Sequence, residues 1–437
     1  MMSYFGKKHI DRVQKCLELA RGKGASGAAI ELNHGTSYSC NYAAGRLKHT
    51  ALSESLRYNI EVIVKGHRGS ASGNVLEAME NMLERALILA QNGAVSHFEE
   101  YPAPSDYAKV KFRSNSIQSL TREKLIADCG ELVDALKALD PEMEIEAGGG
   151  RQESEGFIAN TGGFLQKTGE TSWGLGAGFT RIQGEDMLFA GESRSWGKVN
   201  QLYDIPFLIN KLKEDYQYGI RLQNFKAGKL PVLLAPPVVR QFMSPIIGGL
   251  NGRDVFKGIS PLKDKLGKQA FSKTLSICDQ PHLDYAPGSA AFDNVGLPTK
   301  PVILIENGSI QMFLYDYDSA HLAGVEPTAH SGCAPYNSRI CPGTCTSSDM
   351  LKGMHKGIYI QSLLGFGQSN LGNGDFSCNI AVGYLVEKGE ITGRIKNAMI
   401  AGNIFELCAS EMHISSDLEA NFQTPHILFP EMNITSK

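Results

Sequence analysis

The chain is expected to fold as an α+β protein, with an N-terminal α/β domain over residues 1–227 and a β-rich C-terminal domain over 228–437. Three observations predict this. Helical and alternating apolar patterns take turns through the first third. From about residue 143 the signature shifts to glycine-bearing strands that read as a middle antiparallel-sheet segment. Beyond residue 275 the chain is mostly short strands and turns. Its length of 437 residues also exceeds what one hydrophobic core usually organises.

Each element has its own signal. Ile10, Val13, Cys16, Leu17 and Ala20 recur at helical spacing, and Gly22 and Gly24 end that first helix. Alternating stretches at 28–32 and 36–42 follow, with Asn33-His34-Gly35 between them as a hairpin turn. Leu56, Tyr58, Ile60, Val62 and Val64 share one face of a further strand. A small, polar, glycine-bearing stretch at 66–73 then leads into a helix over 75–91. Thr121 reads as the cap of a second long helix over 121–139, and a third covers about 205–225. Ala227-Gly228 marks the boundary. The second half opens with a buried strand at 230–235 and a helix started by Pro236-Pro237. Strands are expected at 302–305, 310–314, 358–364 and 379–386, with a turn at Glu306-Asn307-Gly308 and a last helix near 403–411.

Composition narrows the function. Hydrophobic residues make up 42% and charged residues 20%, the balance of a packed protein. Lys+Arg number 43 against Asp+Glu 46, so no basic field exists to draw in a phosphate backbone, and direct nucleic-acid binding is not expected. The first residues lack the unbroken apolar run of a signal peptide, and the most apolar short stretch, 230–239, contains three prolines and is too short to span a bilayer. A cytoplasmic protein with no membrane contact is the expectation. Nine cysteines, among them Cys16 and Cys408 in apolar helical contexts, suit reduced thiols.

The chemistry-bearing patterns are few. A zinc hydrolase built on a helix needs two histidines one turn apart and a glutamate between them as general base. Here the closest histidines, His321 and His330, are nine apart, and no His-Glu dipeptide occurs. His330, Cys333, Cys341 and Cys345 place four potential ligands within sixteen residues, which would support a metal-dependent hydrolase if they closed around a tetrahedral ion; the alternative is a loop with scattered thiols. The 66–73 stretch could cradle an anion but lacks both the Walker lysine and the dinucleotide glycine spacing, and tight turns are the reading preferred for such stretches. No Gly-x-Ser-x-Gly elbow is present. No catalytic residue is assigned. Asp375 and Ser377 are candidates to line a peptide cleft, against the plainer reading of Asp375 as a turn former.

One resemblance runs from Tyr58-Asn59-Ile60-Glu61-Val62-Ile63-Val64 and Gly69-Ser70-Ala71-Ser72 through Ser260-Pro261-Leu262 and Asp316-Tyr317-Asp318-Ser319-Ala320. It continues in Gly374-Asp375-Phe376-Ser377, Gly383-Tyr384-Leu385-Val386 and Ala401-Gly402-Asn403. In order and spacing the chain resembles the TldD/PmbA family, also called modulators of DNA gyrase. The resemblance implies the TldD/PmbA-like fold. In the TldD-like branch it implies a metallopeptidase with a His-Glu-x-x-x-His helix and a later cysteine as metal ligand. Here the matching helix, near 238–250, holds neither histidine nor glutamate, and no cysteine follows Cys408. The chain is therefore similar to the PmbA/TldE-like branch. That implies a non-catalytic subunit with no cofactor of its own, paired with a TldD-like metallopeptidase that carries zinc or a similar metal and acts on unfolded peptides. The alternative partner is a second copy of the chain, as a homodimeric peptide- or protein-binding protein without hydrolysis. Gly343-Thr344-Cys345-Thr346 departs from the family, which often has a Ser-Asn-Thr element in that place.

Overall fold

A computed structural model describes residues 4–421 and 423–436. The N-terminal half begins with helix α1 (Lys7–Gly22), then strands β1 (Gly27–Ala43), β2 (Arg46–Val64) and β3 (His67–Gly73), helix α2 (Met79–Ala90) and helix α3 (Arg122–Leu139). Four more strands follow, β4 (Glu144–Asn160), β5 (Leu165–Thr168), β6 (Thr171–Gln183) and β7 (Asp186–Trp196), then helix α4 (Ile205–Gly219) and a short β8 (Leu222–Gln223). The strands up to β7 form one seven-stranded antiparallel sheet in the order β3-β2-β1-β4-β6-β7, with β5 on the end of β4. Ala28, Ile30, Leu32, Tyr38 and Cys40 have the same parity on β1, so they share one face of it. Helices α1 and α2 cover the first part of that face and α3 and α4 the second.

Two sequence expectations are corrected here. Asn33-His34-Gly35 is not a turn: it lies inside β1, where Gly35 pairs with Ser55 on one side and Ser154 on the other. Pairing on both edges overrides the local turn preference, and the chain reverses instead at Ala44-Gly45, both at positive φ as a two-residue hairpin requires. The 66–73 stretch is a strand and not an anion-binding loop. A Cβ on Gly69 would sit 2.0 Å from the Ala86 carbonyl oxygen, so this glycine admits the close approach of α2. The capping expectations hold locally: the Thr121 hydroxyl accepts from the Lys124 amide at 3.2 Å.

The C-terminal half runs β9 (Gly228–Leu234), α5 (Pro236–Gly249), α6 (Gly252–Phe256), β10 (Ile277–Asp279), β11 (Val302–Glu306), β12 (Ser309–Ile310), α7 (Tyr317–Ala323), β13 (Ser338–Ile340) and α8 (Ser347–Gly353). It ends with β14 (Lys356–Leu364), β15 (Asp375–Glu387), β16 (Glu390–Ile395), β17 (Ala398–Asn403), α9 (Ile404–Ala409), β18 (His413–Leu418) and β19 (Pro425–Ser436). Strands β14, β9, β19, β17 and β15 close on themselves, because β15 also pairs with β14, and this barrel removes its own edges. Val238, Val239, Phe242 and Ile246 of α5 pack into the same core as the barrel residues Ile358, Ile360, Ile427 and Phe429. A separate four-stranded sheet, β12-β11-β10-β13, flanks it. The expected strand at 310–314 stops at Ile310, since Leu314 exchanges backbone bonds with Leu250 and Gly252 instead. The helix expected to reach 225 stops at Gly219, and β8 leaves to pair with β16.

The two halves are tied by buried polar contacts. Asp318 of α7 accepts from Arg68 at 2.6 Å, from the His97 amide at 2.8 Å and from Arg253 at 3.0 Å. Burial alone would raise its carboxyl, but the bonds from His97 and the Arg68 charge hold it below the usual carboxylate range. A depressed folded pKa contributes stability that is fully present above the unfolded value and is lost as pH falls through the folded one. Asp318→Asn is therefore expected to cost about 2 kcal/mol near neutrality. In thermal melts its deficit against wild type should shrink below about pH 4. A deficit that stays constant well below that pH would mean the carboxylate charge is not what holds the halves together.

Candidate functional site

The four proposed metal ligands do not converge. His330 is buried, with Nε2 3.2 Å from Asp279 Oδ2 and Nδ1 3.0 Å from the Thr328 hydroxyl, so both ring nitrogens have protein partners. Cys333 is buried beside the Ser319 hydroxyl at 3.2 Å and takes the Asp316 amide at 3.4 Å. Cys341 and Cys345 lie beyond β13 on the surface. Among the described residues no group of three or more His, Cys, Asp or Glu side chains is placed to hold a metal ion. The His330/Cys333/Cys341/Cys345 hydrolase reading is thus corrected: the histidine is a structural partner of Asp279 and the thiols diverge. Asp375 and Ser377 start β15 on the surface. Asp375 accepts from Asn403 at 2.8 Å and the Ser377 amide donates to Ser369 at 3.3 Å. Neither lines the cavities described next.

Two cavities of about 500 and 580 Å³ lie on either side of Arg240 on α5 and share Arg240 and Asn421 as lining residues. Pro236 and Pro237 fix the first turn of this helix after β9. The α5 residues lining the smaller cavity are Arg240, Met243, Ser244 and Ile247. No imidazole, thiolate or carboxylate is among them, so this helix offers no donor set for a metal.

The larger cavity is charged but internally paired. Lys211 and Asp215 of α4 meet at 2.5 Å, and Arg240 reaches Glu419 at 3.3 Å. Arg194 of β7 is buried with its guanidinium 4.0 Å above the Phe207 ring, 3.9 Å from Glu192 and 3.7 Å from Glu419. Burial raises the Glu192 carboxyl and lowers the Arg240 guanidinium. Burial would also lower Lys211, but Asp215 outweighs it and leaves the ammonium above its ordinary range. Burial lowers His426 and pushes the Tyr359 phenol up to about 12.

Two strand edges border these cavities. Strand β7 is the last of its sheet and β13 the last of its own. In an antiparallel ladder the N–H and C=O of one residue point to the same side, and the side alternates along the strand. The Ser193 carbonyl accepts from Asn421 Nδ2 at 2.8 Å and the Ser195 amide donates to Asn421 Oδ1 at 3.3 Å, so odd-numbered residues of β7 face outward. Phe189 and Gly191, which line the larger cavity, therefore present their backbone groups to it. On β13 the Asn337 carbonyl and the Cys341 amide bond inward to the β10 side, leaving Ser338 and Ile340 facing the smaller cavity.

The sequence pointed to the α5 residues through the resemblance at 238–250, but not to the rest of the lining. Glu192, Arg194, Lys211, Arg240, Glu419 and His426 come from four elements and the segment after β18, and only the Lys211/Asp215 spacing of one helical turn was a local signal.

The family profile described as the PmbA/TldA metallopeptidase C-terminal domain matches residues 227–436. The chain is 27% identical to a protein of Escherichia coli named metalloprotease PmbA, over 98% of this chain and 96% of that one. It is 32% identical to a Saccharolobus solfataricus protein named zinc metalloprotease TldD homolog, over 55% of this chain and 59% of that one. The solved structure of TldE from Thermococcus kodakarensis superposes with a TM-score of 0.87 at 18% identity, covering 97% of this chain and all of that one. No helix of the described residues is long and apolar enough to cross a membrane. The barrel and the near full-length relative agree with the profile match: residues 227–436 of this chain are a PmbA/TldD-family domain, and the chain as a whole is similar to PmbA.

Proposed function

We propose that this chain is the non-catalytic subunit of a heterodimeric cytoplasmic metallopeptidase that degrades or matures unfolded peptides, its TldD-like partner carrying zinc or a similar metal. One observation carries the reading: the helix bordering both cavities shows the smaller one an arginine, a methionine, a serine and an isoleucine and the larger one two prolines and the same arginine, while the outer edge of β7 faces the larger and that of β13 the smaller. A cleft of that kind receives an extended chain by strand addition, which uses backbone groups and few specific side chains. On the α5 side it presents no imidazole, thiolate or carboxylate to hold a metal. The subunit's part is to position peptide and wall off the chamber, while the partner performs hydrolysis.

The test is hydrolysis of an unfolded protein substrate by this chain, by a TldD-like chain from the same genome and by the mixture, with metal assayed in each sample. Activity should be greatest in the mixture and metal should follow the partner. Metal bound stoichiometrically to this chain, with cleavage by it alone, would overturn the reading.

A further inference from the structure

Three residues that line the larger cavity each carry a buried polar atom without a hydrogen-bond partner: Nη1 of Arg194, Oγ of Ser362 and Nδ1 of His426. They come from β7, β14 and β19, so no local motif places them together. Arg194 is only 8% exposed, and a buried donor left unbonded is costly. Its acidic neighbours stand at 3.7 and 3.9 Å, beyond hydrogen-bond reach. The His426 ring has its other nitrogen, Nε2, 3.4 Å from the Tyr359 hydroxyl. With that hydroxyl donating to Nε2, the neutral ring keeps its proton on Nδ1, and burial favours the neutral ring.

We infer that Arg194, Ser362 and His426 form a subsite for the carbonyl oxygens of an extended, uncharged peptide segment lying along the free edge of β7. All three can donate, and a peptide backbone supplies acceptors at regular spacing. The neighbouring charges argue against a charged ligand. Lys211 is matched by Asp215 and Arg240 by Glu419, and Glu192 and Asp417 add further negative charge, so the wall carries no net positive field for an anion. The backbone of Phe189 and Gly191 supplies the complementary donors and acceptors. The register is bounded at both ends: Asn421 occupies Ser193 and Ser195, and Arg394 donates to the Met187 carbonyl at 3.3 Å. The window between them admits a short segment. This subsite rests on the peptide-cleft reading above and adds the groups that read the chain.

The experiment is fluorescence anisotropy of the full chain with a fluorescein-labelled, end-blocked octapeptide of alternating alanine and serine. Hydrogen exchange at Phe189 and Gly191 is followed in parallel, and thermal melts confirm that each variant is folded. Ser362→Ala and His426→Gln should each weaken binding about threefold to tenfold, the worth of one hydrogen bond. His426→Asn, whose amide can place a donor near the Nδ1 position, should keep most of the affinity. The peptide should slow exchange at Phe189 and Gly191. Unchanged affinity in folded Ser362→Ala and His426→Gln, with wild type still binding, overturns the subsite and leaves the cleft reading intact. Displacement of the peptide by inorganic phosphate overturns it in favour of an anion site. No binding by wild type, with or without the partner chain, takes down both.

Discussion

Asp279→Ala should destabilise the protein by about 3–6 kcal/mol, enough to abolish folding in a marginal background. Asp279 has no exposed surface and serves three donors: the Tyr336 amide at 3.0 Å, the Asn337 amide at 2.6 Å and His330 Nε2 at 3.2 Å. Alanine leaves two amides and an imidazole unpaired in the interior, each at a cost of about 1–3 kcal/mol. Asp279→Asn retains one acceptor oxygen but turns an amine toward donors, so it should recover only part of the loss. Urea unfolding monitored with the slope checked against wild type reports the difference. Cys341→Ser and Cys345→Ser, at exposed positions, should change stability by no more than about 0.5 kcal/mol. That contrast separates the buried His330–Asp279 unit from a metal centre, in which the thiols would matter at least as much as the histidine. Because Asp279 holds the residues that open β13, a destabilised variant should also lose peptide affinity through the β13 edge.

What the sequence disclosed tracks how local each signal was. Helices α1 and α3 follow from apolar periodicity, and α3 from its threonine cap, because helix hydrogen bonds join near neighbours. The start of α5 was legible from Pro236-Pro237, and so was the absence of a His-Glu-x-x-x-His segment, which must be contiguous to exist. Barrel closure was not legible: β9 lies parallel to β14 with Val232 opposite Ile358, and nothing near either residue records the other. The length of β1 was hidden for a similar reason. Asn33-His34-Gly35 carries turn chemistry, but Arg57 and Gly156 flank Asn33 on both sides and keep it extended. The His330–Cys345 grouping shows the opposite error, since proximity in sequence suggested a centre that the fold takes apart. The cleft is the extreme case, its walls drawn from β7, α4, α5 and the strands that follow.

Arg394→Met should cost about 3 kcal/mol or more and should change how β7 is used. The guanidinium is 3% exposed, bonds both Asp186 oxygens at 2.7 Å through Nη2, donates from Nε to the Gly219 carbonyl at 3.0 Å and from Nη1 to the Met187 carbonyl. It thereby ties the end of α4 and the β6–β7 hairpin to β16. Burial would raise the Asp186 carboxyl, but Arg394 and Lys396 hold it below its ordinary range, so this contribution is present near neutrality and lost as pH falls through the depressed value. Methionine matches the aliphatic stem but leaves two carbonyls without their donor and the carboxylate with Lys396 at 3.1 Å. Arg394→Lys can renew the charge pair yet cannot reach both carbonyls with a planar fork, so it should recover less than half of the loss. The functional consequence separates this residue from a purely structural tie. With the Met187 carbonyl released, the outward edge of β7 lengthens toward its start, and peptide-induced protection from hydrogen exchange should spread from Phe189 and Gly191 to Met187. Protection confined to the original two residues in a folded Arg394→Met protein would mean that Arg394 does not set the register of the bound chain.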